Sequence, residues 1–148
     1  MPYIAKIRRP RFDPHIQTII DRYERGLTDS HILDAVVDLS HSIENEGDFN
    51  YVFSKIIYTL TSANTKYSTA NWIMDVLDEV YLRFIHHPFS DHSDLGDILY
   101  ELAWRARDYS KLHGIRGALR CIEHEYYTRK VRPYEDTKIG NLDHGDIE

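Results

Sequence analysis

Apolar residues in this chain recur three and four places apart in one segment after another, and no stretch sustains the alternation of a β-strand. That period belongs to amphipathic helices. Ile16, Ile19, Ile20 and Tyr23 share a face between Asp13-Pro14, a helix-start pair, and Gly26, a natural stop. Asp29 opens a second helix with Ile32, Val36, Leu39 and Ile43 on one side, and Asp48 a third with Phe49, Val52, Phe53, Ile56 and Leu60. Ser68 or Thr69 starts a fourth, with Ile73, Val76, Leu77, Val80 and Phe84 inward, and His87-Pro88 breaks it. A fifth follows from about Ser93 with Leu95, Ile98, Leu99 and Leu102. The sixth runs from about Gly114 with Ile115, Leu119, Ile122 and Tyr126, and stops before Pro133. Cys121 is read as part of that inward side.

The pattern also repeats. A gap-free shift of 46 residues carries Asp48 onto Asp94, Val52 onto Ile98, Ile73 onto Leu119 and Val80 onto Tyr126. Glu79, Tyr81 and Arg83 fall on Glu125, Tyr127 and Arg129, so an E-x-Y-x-R pattern returns in register. The expected fold is therefore all-α. Two αα-hairpins, 48–87 and 94–133, would pack as a pseudo-twofold four-helix unit, because neither hairpin alone can bury its apolar face. The first two helices would cover one side. At 148 residues this is one domain, 1–148, with a basic arm at 1–12 and an irregular tail at 133–148.

Composition removes several function classes. A single cysteine excludes an internal disulfide framework and a cysteine-cluster zinc site. No apolar run approaches the roughly 20 residues of a membrane-spanning helix, and the opening MPYIAKIRRPRF lacks a signal-peptide core. These features point to a cytoplasmic protein. The net charge of -6 is uneven: residues 26–104 hold three Lys/Arg against thirteen Asp/Glu, whereas residues 1–25 hold six against three. The acidic middle disfavours contact with a nucleic-acid backbone. The arm cations Lys6, Arg8, Arg9 and Arg11 are read as solvated or paired with an acidic face of the same chain.

Three clusters could carry chemistry. Asp75, Asp78 and Glu79 share one helix face and could hold Mg²⁺, as helix-borne carboxylates do in all-α nucleotide pyrophosphohydrolases; a solvated acidic face is the plainer reading. Asp94, Asp97 and Glu101 repeat the arrangement one hairpin later. His86, His87 and His92 flank Pro88, while His124-Glu125 fails the H-E-x-x-H zinc motif because Thr128 occupies its last position. The third cluster is aromatic and basic. Arg116 and Arg120 stand near the start of the sixth helix, and Tyr127, Arg129, Arg132, Tyr134, Glu135 and Asp136 near its end. Tyrosine and arginine dominate interface hot spots and also stack on nucleotide bases. This set is the sequence's candidate binding surface.

The stretch Gly47-Asp48-Phe49-Asn50-Tyr51, then Tyr67-Ser68-Thr69-Ala70-Asn71, resembles a family of small phage and bacterial proteins known as a domain of unknown function. So do Gly117-Ala118-Leu119-Arg120, the Pro133-Tyr134-Glu135-Asp136-Thr137-Lys138 run and the closing His144-Gly145-Asp146-Ile147. The family pattern is similar to a G-D-L-N-Y start and a P-Y-E-D-x-K end, and the resemblance covers residues 47–87 and 114–147. The family carries both motifs on one hairpin; here they stand on two, which suits a duplicated or extended member. The resemblance implies a phage or prophage origin.

Taken together, these features lead to a non-enzymatic, phage-type accessory protein that binds a host protein or a host defence component, with no cofactor. Two alternatives stay open: a binder of a small anionic nucleotide at the Arg/Tyr surface, and a Mg-dependent nucleotide hydrolase using Asp75, Asp78 and Glu79. Enzyme activity is left open, with the balance against it. Trp72, Trp104 and the eleven tyrosines exceed what one small core absorbs, so a homodimer is also expected.

Overall fold

A computed structural model describes residues 4–26, 29–62, 67–86, 95–106, 112–133 and 135–136. Among them there is no strand. The helices are α1 (Asp13–Glu24), α2 (Asp29–Ser40), α3 (Glu46–Ser62), α4 (Tyr67–His86), α5 (Leu95–Ala106) and α6 (Leu112–Tyr126). A 3-10 turn, Lys6–Arg11, precedes α1, and a π-helical turn, Tyr127–Val131, extends α6. The all-α expectation holds.

The apolar stripes meet in one core. Ile16, Ile19 and Ile20 of α1 join Val36 and Leu39 of α2, Phe49, Val52 and Phe53 of α3, and Ile73, Val80 and Phe84 of α4. Leu99 and Leu102 of α5 and Ile115, Ile122 and Tyr126 of α6 complete it. The heaviest packing of α5 is on α4 and α2, and that of α6 is on α4 and α3. Gly26 closes α1 with a φ of 68°, the left-handed geometry that glycine adopts without a Cβ clash.

The basic arm is clasped to the start of α3. Asn45 caps that helix, accepting a hydrogen bond from the Asp48 backbone N–H at 2.9 Å. The Asp48 carboxylate, fully buried, reaches back to accept from the Glu44 N–H at 3.0 Å, a variant of the reciprocal capping box. Nη2 of Arg8 donates to both Asp48 oxygens at 2.9 Å, and Arg11 pairs with Glu44 at 2.7 Å. The Arg11 guanidinium holds the Glu44 carboxyl below its ordinary value. Arg9 lies 5.2 Å over the Tyr51 ring. Burial, then the bond donated to Asp13, pushes the Tyr51 hydroxyl above its ordinary value. Thus Arg8 and Arg11 of the arm pair with acidic groups of their own chain, as the charge map suggested.

Two side chains stand apart from the sequence expectations. Cys121 is exposed, not inward. At 100° per residue it lies one step before the buried Ile122 and nearly opposite Leu119, so it joins the exposed Gly117 and His124. Trp104 is partly sheltered, edge-on to Phe84 at 6.0 Å and stacked on Tyr100 at 6.1 Å.

The end of α6 widens. The N–H of Arg132 bonds the Tyr127 carbonyl, five residues back. Pro133 follows directly, lacking the N–H that an α-helical ladder would need there. Helical geometry nonetheless runs through Arg132 and Pro133 and recurs at Glu135 and Asp136.

Candidate functional site

Helices α4 and α6 pack side by side, and their seam gathers four polar side chains. Arg120 of α6 lies 3.8 Å over the ring of Tyr81 on α4 and donates to Glu123 at 3.0 Å. Asp78 faces Glu123 across the seam, close enough for its negative charge to be felt there. Residue numbers rise along α6 as they fall along α4, so the two helices run antiparallel. Burial pushes the Glu123 carboxyl up; Arg120 pulls it down, and Asp78 raises it again.

A carboxyl raised in the folded state stabilises the fold below its ordinary value of 4.5. That contribution is lost as pH rises through the higher folded value. Glu123→Gln removes the ionised form yet keeps an acceptor for Arg120. It is expected to raise Tm at pH 7 by about 2 °C and to leave it unchanged at pH 4, as measured by thermal unfolding.

The Arg/Tyr set predicted from sequence is divided by the helix. Arg116, Arg120 and Tyr127 fall in phase with Glu123 on the side of α6 toward this seam. Arg129 pairs instead with Glu125 at 2.9 Å, and Glu125 stands nine residues from Arg116, half a turn out of phase with it. Arg132 lies 3.9 Å from Asp136, and Tyr127 hydrogen-bonds Glu135, which raises its hydroxyl. Arg116 is exposed, and Tyr134 lies outside the described residues. The charges expected to meet a ligand are thus largely matched within their own helix.

The acidic clusters are similarly engaged. Arg83, buried in α4, pairs with Asp97 of α5 and lies 4.5 Å over the Tyr100 ring, with Glu79 4.0 Å away. Arg105 pairs with Glu101 at 2.9 Å. Asp75, Asp78 and Glu79 line the outside of α4. Among the described residues, no three His, Cys, Asp or Glu side chains stand close enough to hold a metal ion. Asp94, His87 and His92 lie outside those residues, and His86 is exposed.

The outer face of α4 joins residues that the sequence named separately, the Asp75, Asp78 and Glu79 row and the surplus Trp72, with Leu82, which it missed. Its exposed row runs Trp72, Asp75, Asp78, Glu79, Leu82 and His86. Trp72 is 44% exposed and Leu82 48% exposed. Ten residues apart, they are separated by about 15 Å along the helix. A signal was present: Leu82 interrupts a register otherwise polar, three places after Glu79 and four before His86.

Six packed helices, a buried ionic clasp at each of two helix junctions and an exposed apolar–acidic row define a small all-α helical protein. The chain belongs to the family described as Domain of unknown function (DUF6899), which it matches over residues 1–95. That stretch spans the arm and α1 to α4, and it includes the Gly47-Asp48-Phe49-Asn50-Tyr51 start. The Pro133-Tyr134-Glu135-Asp136 run and the second half of the 46-residue repeat lie beyond it. No curated protein and no solved structure matches the chain.

Proposed function

We propose that this chain is a non-enzymatic accessory protein that works by binding another protein, with the outer face of α4 as its contact surface. The exposed pair Trp72 and Leu82 carries this reading. A large aromatic left half in solvent, with a second apolar anchor three turns along, supplies the hot-spot chemistry of a protein interface. The partner in this reading is a host protein or host defence component met in the cytoplasm. The Arg/Tyr surface is the weaker candidate, because a phosphate there would compete with the carboxylates already on Arg120, Arg129 and Arg132.

The test is affinity capture from a native cell extract with the intact chain and with Trp72→Ser/Leu82→Ser, both checked for helicity. The expected result is a partner retained by the first and lost by the second. Equal retention would overturn the contact surface. A Mg²⁺-dependent thermal shift with a nucleotide, accompanied by turnover, would instead favour the hydrolase reading built on Asp75, Asp78 and Glu79.

A further inference from the structure

Between its two apolar anchors, the outer face of α4 is uniformly acidic. Asp75, Asp78 and Glu79 occupy the exposed positions from Trp72 to Leu82. The one cation that α4 contributes, Arg83, is turned inward and held by Asp97, with Glu79 only at the 4.0 Å edge of its reach. Across the α4–α6 seam, Arg120 is matched by Glu123, and Arg129 of the following turn by Glu125. Among the described residues, the anchors are therefore separated on α4 by negative charge alone.

We propose that this face takes a basic amphipathic helix of the partner protein, with two apolar side chains about three turns apart and Lys or Arg between them. The inference rests on the protein-binding reading above and names the partner's chemistry. Charge complementarity selects this occupant. A second copy laid antiparallel on the same face would set Asp75, Asp78 and Glu79 against their own counterparts, and like charges across a desolvated contact disfavour pairing. A nucleic-acid strand would meet the same three carboxylates with its phosphates. A cationic helix brings opposite charge to each of them and covers Trp72 and Leu82 with its apolar side.

A fluorescent 20-residue Leu/Lys amphipathic helix is the probe, and its Leu/Glu counterpart is the comparison. Binding is read by anisotropy and by the blue shift of tryptophan emission. The Leu/Lys helix is expected to bind and to weaken as salt rises. Trp72→Ser/Leu82→Ser should weaken it about tenfold or more. Asp75→Asn/Asp78→Asn/Glu79→Gln should weaken it similarly and flatten the salt dependence. The same charge change made on α1 and α2, with Asp21→Asn/Glu24→Gln/Asp34→Asn, should leave binding within about twofold.

Equal loss in that control variant would overturn the inference, since binding would then follow net charge alone. Tighter binding of the Leu/Glu helix would overturn the basic partner, while dependence on Trp72 would keep the protein-binding reading intact. A sedimentation mass of two chains that reverts to one in Trp72→Ser would assign the face to a second copy and likewise overturn the basic partner. Binding of neither helix, together with equal capture by the intact and Trp72→Ser/Leu82→Ser chains, would remove both readings.

Discussion

Replacing Arg83 with alanine is expected to cost the fold about 3–5 kcal/mol, seen as a fall in Tm of about 10 °C. The reason is the company Arg83 keeps. Its side chain is 8% exposed and that of its partner Asp97 14%, so truncation leaves a carboxylate nearly out of water with its cation gone. The face of Tyr100 loses its guanidinium as well. Arg83 is also what ties α4 to α5 electrostatically, so urea unfolding should lose its midpoint without gaining an intermediate. Replacing both partners by apolar residues of similar volume, Arg83→Met/Asp97→Leu, is expected to recover most of the loss, because no unpaired charge then remains. A loss below about 1 kcal/mol in Arg83→Ala would mean that water reaches Asp97 and that the pair is a surface one.

The second large effect is expected at Asp48. Its carboxylate accepts from the Glu44 N–H and binds Arg8 with both oxygens while fully buried. Asp48→Ala removes the return half of the cap and leaves Arg8 with Glu44 at 3.9 Å as its remaining ion partner, so the arm is held by the Arg11–Glu44 pair and Arg9 over Tyr51. A cost of about 3 kcal/mol is expected from urea unfolding. Asp48→Asn keeps an acceptor but not the charge and should fall about midway. Asn45→Ala, which removes only the forward half of the cap, should cost about 1 kcal/mol. An order in which Asn45→Ala exceeds Asp48→Ala would contradict the assignment of Asp48 as the centre of the clasp.

Helix periodicity made most of the fold legible. The apolar stripes named from spacing lie in the core, from Ile16 and Ile19 in α1 to Ile115 and Tyr126 in α6, except that Tyr23 and Leu60 pack against it partly buried and Cys121 faces out. Asp48 was read as the start of the third helix; the helix begins two residues earlier, at Glu46, and Asp48 sits in its first turn with its N–H donated to the cap residue Asn45. What periodicity could not give was the role of a charge lying in apolar register. Arg83 falls three residues after Val80 and seven after Val76, in phase with the buried row, yet spacing alone does not say which carboxylate meets it there. The repeat shows the same gap. Arg83 and Arg129 occupy equivalent places in E-x-Y-x-R, each within ion-pair range of the glutamate four residues earlier, yet one side chain is buried and the other is 55% exposed. Equivalent letters acquire different environments because a carboxylate from α5 faces the first.

The candidate site was less legible for a related reason. Surface residues obey no packing period, so the Arg/Tyr set was assembled by residue type along the chain. Helix rotation then separated Arg116 and Arg120 from Arg129, and local carboxylates engaged Arg120 and Arg129. Cys121 was misplaced by one step of 100° on an otherwise well-read helix. Conversely, Trp72 was counted among aromatics surplus to the core, but Leu82 is an ordinary core type by composition. The angular position of both, outside the stripe of Ile73, Val80 and Phe84, marks them as exposed.

Site-specific photo-crosslinking from α4 tests the central claim, that its outer face is the working surface. A photoreactive residue at position 75 lies between Trp72 and Leu82, and one at position 21 lies on the exposed side of α1. Irradiated in native extract, the chain carrying the probe at position 75 is expected to form a discrete adduct that disappears with Trp72→Ser, and the chain carrying it at position 21 is expected to form none. The same adduct from both positions, or from position 21 alone, would contradict the account.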